Sequence, residues 1–252
     1  ENVVSPHGVI EGELIVMDRY KHRVVGAAGG IYSNTEDLAK WLNMLLNGGK
    51  YGENLEKRLI SEEVRNELWK PQTIMSGGMG QDAYHTHFHG YALGFRVNDV
   101  KGEYEVGHTG GVPGIWTEMI MLPERNVGII VLTNQQVSEA FRTVINSVKN
   151  MYLDVEFDWL EDNVTKFKEK KERARQVEEE VWRDVETVQK ENEGKAVDYS
   201  MFLGTYKDSW FGEVNIVEKD GQLHFLSKRS SKMSGPLFPY KGQTMIAKWT
   251  DR

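Results

Sequence analysis

Between residues 91 and 133 the chain keeps a period of two. Apolar side chains recur at alternate positions in four runs, 91–97, 104–107, 116–122 and 127–133. Neighbouring side chains of a strand face opposite sides of a sheet, so this period predicts strands and argues against helix throughout the block. Pro123-Glu124-Arg125-Asn126 separates the last two runs and predicts a hairpin turn. Gly128-Ile129-Ile130-Val131-Leu132 is almost continuously apolar, as a central strand covered on both faces would be.

On either side of this block the period changes to three and four. Asn34-Thr35-Glu36-Asp37 offers an N-cap and an acidic first turn ahead of Leu38, Trp41, Leu42, Leu45 and Leu46, and Gly48-Gly49 supplies the stop. A second amphipathic helix is predicted over 61–69, ended before Pro71, and a glycine-rich loop over 76–80. A third helix is predicted over 138–151. Helices flanking an antiparallel sheet define an α+β domain, assigned to residues 1–155.

Residues 156–197 read as a charged helical linker. Seventeen of the 28 residues in 166–193 are charged, yet Leu160, Val164, Phe167, Ala174, Val177, Val181, Val185 and Val188 keep helical spacing. A connector lying on its neighbours and a short coiled-coil contact both fit so thin a stripe. Alternation returns in residues 198–252, where 202–206, 213–217, 223–226 and 244–249 predict strands. Lys219-Asp220-Gly221-Gln222 predicts a hairpin turn among them. So few strands make a marginal sheet with open edges, and a small, incomplete β-barrel-like domain is expected.

Composition narrows the function classes. A net charge of −7 disfavours a nucleic-acid surface, which needs clustered Lys and Arg. The absence of cysteine removes disulfides, thiol catalysis and thiolate metal sites. No apolar run reaches the roughly 18 residues of a membrane span. The chain opens on Glu1 with no signal peptide after it, and is expected to begin partway through a longer protein.

Gly107-His108-Thr109-Gly110-Gly111-Val112-Pro113-Gly114 is the stretch richest in chemistry. An imidazole, a hydroxyl and several glycines on one strand can line a substrate cleft, and glycine lets backbone N–H groups approach an oxyanion. On spacing alone His108 could equally be a satisfied core histidine. His85, His87 and His89 alternate and could share a strand face around a metal, but the flanking glycines favour a solvated loop. No phosphate loop, acidic pair or zinc-helix motif accompanies them, so no metal and no cofactor is expected.

Several segments in order resemble the serine β-lactamase, D-alanyl-D-alanine peptidase and esterase superfamily, in its class C-like branch. They are Ser5-Pro6-His7-Gly8, then Ala27-Ala28-Gly29-Gly30-Ile31-Tyr32-Ser33-Asn34-Thr35-Glu36-Asp37-Leu38, then Gly90-Tyr91-Ala92-Leu93-Gly94-Phe95. His108-Thr109-Gly110-Gly111 and the stretch from Leu122 to Asn134 complete the set. The resemblance places His108-Thr109-Gly110 at the family's Lys/His-Thr/Ser-Gly motif, beside the active-site serine. It implies that His108 faces that serine, that Thr109 binds the substrate carboxylate or its equivalent, and that the Gly111 N–H forms half of the oxyanion hole. The family's Ser-x-x-Lys motif is missing, because no serine here has lysine three residues on. Tyr32-Ser33-Asn34 spells the family's Tyr-x-Asn, but it sits in the helix start that follows the true motif and is read as structural.

The resemblance therefore implies a parent enzyme that transfers acyl groups from small amide, ester or peptide substrates, with this chain alone inactive. Histidine in place of lysine leans toward an esterase or peptidase over a β-lactamase, since an imidazole need not be charged near neutral pH. The same likeness is compatible with a periplasmic or exported protein. Phe202-Leu203-Gly204-Thr205-Tyr206, Phe211-Gly212-Glu213-Val214 and Asp220-Gly221-Gln222-Leu223 resemble the lipocalin-like domain that follows such hydrolases, cut short here. A non-catalytic binding or assembly module is the competing reading. Truncation also predicts self-association, through a sheet face holding Trp116, Ile129 and Val131 that absent segments would cover, and through open strand edges near 244–249.

Overall fold

In the computed structural model, which describes residues 2–10, 12–19, 26–77, 80, 82–194 and 198–250, the chain opens with strands β1 (His7–Ile10) and β2 (Glu13–Val16). One helical turn, α1 (Gly26–Gly29), precedes helix α2 (Thr35–Leu46), the short strands β3 (Lys50–Tyr51) and β4 (Lys57–Arg58), and helix α3 (Glu62–Trp69). Strands β5 (Thr73–Met75), β6 (His89–Tyr91), β7 (Arg96–Val100), β8 (Glu103–Val112), β9 (Ile115–Leu122) and β10 (Val127–Thr133) follow. Helices α4 (Ser138–Leu153) and α5 (Trp159–Glu191) lead to β11 (Gly204–Asp208), β12 (Gly212–Lys219), β13 (Gln222–Ser227), β14 (Ser234–Pro239) and β15 (Met245–Ala247). Two compact units divide the chain, Glu1–Phe167 and Lys168–Arg252.

Local chemistry starts α2 and α3. The Asn34 side-chain oxygen accepts from the Asp37 N–H at 2.9 Å, giving one orphan donor of α2 a partner. Ser61 does the same for Val64 in α3. Leu42, Met44 and Leu45 of α2 are buried, while Trp41 turns partly outward at 38% exposure.

The six long-range strands form one antiparallel meander in the order β10-β9-β8-β7-β6-β5. The run expected as a single strand over 91–97 is instead two. The Ala92 N–H donates to the Phe95 carbonyl at 2.8 Å, and Gly94 takes a φ of 84° that other residues resist. Leu93 points outward at this reversal, so the alternation of apolar residues continued through a turn. The 76–80 loop lies partly outside the described residues. After β9 the turn closes on Asn126 at φ 52°, a left-handed position that asparagine tolerates.

β10 is an edge strand, not a central one, yet both its faces are covered. Gly128 lies under α2, where a Cβ would meet Leu42 Cδ1 at 3.0 Å, and Ile130 packs on the cluster of Leu42, Leu45, Trp69, Val97, Val106 and Met121. On the other face Ile129 and Val131 pack on Ile120 and on Ile145 of α4. Trp116 stacks on Phe141 with ring centroids 5.9 Å apart. The face expected to await an absent segment is therefore closed by α4 itself, and Ile129 is only 8% exposed.

In the second unit β11 to β15 form a five-stranded antiparallel meander. Among the described residues it is an open sheet with β11 and β15 as edges, not a closed barrel. Asp220 and Gly221, at φ 52° and 77°, make the primed turn that suits the twist of β12 and β13. β14 escaped prediction because Pro236 and Pro239 lie in it, although Pro236 still accepts from the Lys248 N–H at 2.9 Å. Within this unit Trp182 meets Phe238 edge-on at 5.5 Å and Val185 is buried, so the end of α5 lies on β14. Residues 164–180 of that helix are exposed.

Candidate active site

β8 changes its surroundings at Gly107. Toward β7 its pairing ends with Arg96 opposite Gly107, while toward β9 it continues to Val112 opposite Ile115. Among the described residues no strand pairs with the other side of residues 108–112. Alternate N–H and C=O groups of this stretch are thus left without a strand partner, the arrangement a substrate backbone or an oxyanion can use.

Glycine is required where β8 meets β9. At Gly107 a Cβ would lie 2.4 Å from the Met119 carbonyl oxygen, and at Gly110 2.4 Å from Thr117 Oγ1. Gly111 sits over the Trp116 ring. These contacts explain the glycines by packing and leave the outer side of the strand bare.

His108 is half-buried with both ring nitrogens engaged. Nδ1 lies 2.6 Å from the Thr109 carbonyl oxygen, which can only accept, so Nδ1 carries the proton. With Nδ1 as the protonated nitrogen of the tautomer, Nε2 is the acceptor for the Tyr91 hydroxyl, 2.9 Å away, and the two rings meet edge-on. Thr109 projects to the opposite face and stands across from Glu118. Both border a cavity of about 280 Å³ whose walls include Arg96, Asn98, Glu105 and Glu118.

Beneath that cavity the sheet carries a buried polar cluster. Glu105 receives Lys149 Nζ at 2.7 Å and Asn98 Nδ2 at 2.7 Å. Burial, and next the nearby Glu105 carboxylate, raise Glu118 above the usual carboxylate range, against the pull of Lys149, Arg142 and Arg96. Tyr91, Glu105, Glu118 and Lys149 were missed in the sequence. A charge inside the apolar run of β9, and a lysine four residues from Ile145 on the buried stripe of α4, were the available signals.

The other sequence candidates fall outside this site. Asn34 caps α2, so Tyr32-Ser33-Asn34 is a helix start, with Tyr32 67% exposed. The three alternating histidines diverge: His85 Nδ1 meets the Gly80 carbonyl oxygen, His87 meets Asp99, and His89 lies on β6. Among the described residues no three His, Asp or Glu side chains gather as a metal site. Ser5, Pro6 and His7 close on the β8–β9 turn that follows residues 108–112, where the Asn134 amide donates to the Ser5 carbonyl and the His7 N–H to that of Gly114.

The half-bare Gly-His-Thr-Gly-Gly strand thus lies beside a polar cavity in a helix-covered antiparallel sheet. The chain belongs to the Beta-lactamase family, whose description matches residues 6–149. It is 26% identical over 161 residues to an unguisins hydrolase of Aspergillus campestris, a match covering 60% of this chain and 28% of that protein. It also superposes on the octameric penicillin-binding protein homologue from Pyrococcus abyssi with a TM-score of 0.46 and 16% identity, covering 100% of this chain and 48% of that one. The chain spans less than half the length of either protein.

Proposed function

We propose that this chain supplies the substrate-edge part of a serine hydrolase that transfers acyl groups from amide or ester substrates. The half-bare edge of β8 at residues 108–112, beside the cavity under Thr109, carries the reading. His108 would present its hydrogen-bonding ring toward the nucleophile, Thr109 would bind the substrate carboxylate or its equivalent, and the Gly111 N–H, next to Gly110, would form half of the oxyanion hole. No Ser-x-x-Lys occurs in the sequence, so the nucleophile and its base would come from a segment outside these 252 residues. In this division residues 1–155 belong to the hydrolase domain, 156–197 form a linker, and 198–252 are part of a lipocalin-like domain.

The test is covalent labelling. The chain should take up neither a fluorophosphonate nor a fluorescent penicillin, and a version extended upstream through a Ser-x-x-Lys should take up at least one. Stoichiometric labelling of a serine in the chain itself, or an extended version that stays inert, would overturn the reading. A non-catalytic binding module is the second reading, favoured by one observation: Tyr91 and the Thr109 carbonyl already occupy both nitrogens of His108. An inert extended version that still binds an acylated peptide would select it.

A further inference from the structure

The tip joining β11 to β12 holds two aromatic side chains out in solvent. Trp210 is 75% exposed and Phe211 56%, with their ring centroids 5.0 Å apart. Neither ring contributes a core, yet the backbone beneath them is pinned. Asp208 Oδ1 accepts from the Trp210 N–H at 2.7 Å and from the Phe211 N–H at 2.8 Å. Arg229, from the loop between β13 and β14, donates to the Trp210 carbonyl and lies beneath Gly212. The turn is thus held in one shape by three hydrogen bonds that serve the presentation of the rings.

The charge around the rings is the reverse of the whole chain's. Lys207, Lys228 and Arg229 lie on the loop and strand ends that meet here, and the adjacent acids are Asp208 and Glu213. Asp208 is spent on the turn, and Glu213 is paired with Lys228. Met233, 39% exposed, adds a third apolar group in the neighbouring loop. A basic, aromatic tip on a chain of net charge −7 marks a local function.

We propose that this tip docks on an anionic lipid surface, with Trp210 and Phe211 entering the headgroup layer and the surrounding cations facing lipid phosphates. Two adjacent protruding rings match a soft interface better than a protein partner, whose stable contact needs several hundred Å² per side and a pocket to receive each ring. Tryptophan favours the headgroup level, and Lys and Arg near an anionic surface add attraction that salt screens. No described helix is long and apolar enough to cross a membrane, so the contact would be peripheral. The inference does not depend on the acyl-transfer reading.

Sedimentation with vesicles tests it on the 252-residue chain. The chain should pellet with phosphatidylcholine–phosphatidylglycerol vesicles at low salt, remain in solution with phosphatidylcholine alone, and be released by about 0.5 M salt. Trp210→Ser combined with Phe211→Ser should weaken binding about tenfold or more, with circular dichroism unchanged. Lys207→Glu should weaken it while keeping the rings, and Asp208→Ala should weaken it by loosening the turn. No binding to anionic vesicles at low salt, or equal binding by the double serine variant, would overturn the proposal. So would vesicle-inert chain that forms a dimer lost in the serine variant, since the rings would then face a second copy.

Discussion

Lys149 and Glu105 form an ion pair at 2.7 Å beneath the sheet, with side-chain exposures of 6% and 11%. The Lys149 ammonium also lies 4.0 Å from the centre of the Tyr84 ring, and Asn98 holds the second Glu105 oxygen. Both charges have lost their water, so each depends on the other. Lys149→Met should cost about 3–5 kcal/mol by leaving the carboxylate buried and alone. Joining it to Glu105→Leu should recover most of that loss, because the desolvation penalty leaves with the second charge. Urea denaturation of wild type, single and double variants decides the matter, and a double variant as unstable as the single would refute it.

Glu118 makes stability depend on pH in a direction opposite to most carboxylates. Burial, then Glu105, lift its folded pKa above the unfolded value. The folded chain therefore holds that proton more tightly, and the associated stability is complete below the unfolded pKa and lost as pH rises through the folded one. Glu118→Gln cannot ionise, so it should raise Tm at neutral pH and have little effect near pH ~4. An equal gain at both values would show that the carboxyl is not desolvated.

The tautomer of His108 can be read directly. Nitrogen-15 correlation spectra of the neutral ring should place the proton on Nδ1, facing the Thr109 carbonyl. Tyr91→Phe should perturb the Nε2 resonance while leaving the fold intact, because it removes the hydroxyl 2.9 Å away and nothing else. A ring protonated on Nε2, or one indifferent to Tyr91, would remove the pairing on which the orientation of His108 rests.

Asn34 tests the helix start in isolation from the site. Asn34→Ala deletes the acceptor for the Asp37 N–H and should lower stability by about 1 kcal/mol. Asn34→Asp should be nearly neutral, since it keeps an acceptor at a helix N-terminus. A loss as large in the aspartate variant would mean that the Asn34 amide donating to the Asp37 carboxylate at 3.0 Å matters more than the cap.

What the sequence disclosed was local. α2 could be bounded because Asn34 and Gly48-Gly49 announce its ends, and β10 because Asn126 announces its turn. Local periodicity could not separate β6 from β7, since Tyr91, Leu93, Phe95 and Val97 alternate through a reversal that Gly94 makes. Nor could it place β10 at an edge, because a strand covered by helices on both faces reads like one with strands on both sides. The polar groups under Thr109 were hidden for a related reason: Glu105, Glu118 and Lys149 come from three elements and acquire meaning only when folding removes their water. β14 was hidden by its prolines, which are tolerated where the ladder asks only for a carbonyl.

The one-sided pairing of residues 108–112 leaves a signature in amide exchange. Along this stretch alternate N–H groups are locked onto β9 and should exchange only when the sheet opens, while those between them should exchange with solvent almost as fast as a loop. A single strand would then show a comb of slow and fast amides, turning uniformly slow on the β7-paired side of Gly107. Whatever occupies the bare side, whether substrate or another strand, must slow the fast teeth of that comb and leave the slow ones unchanged.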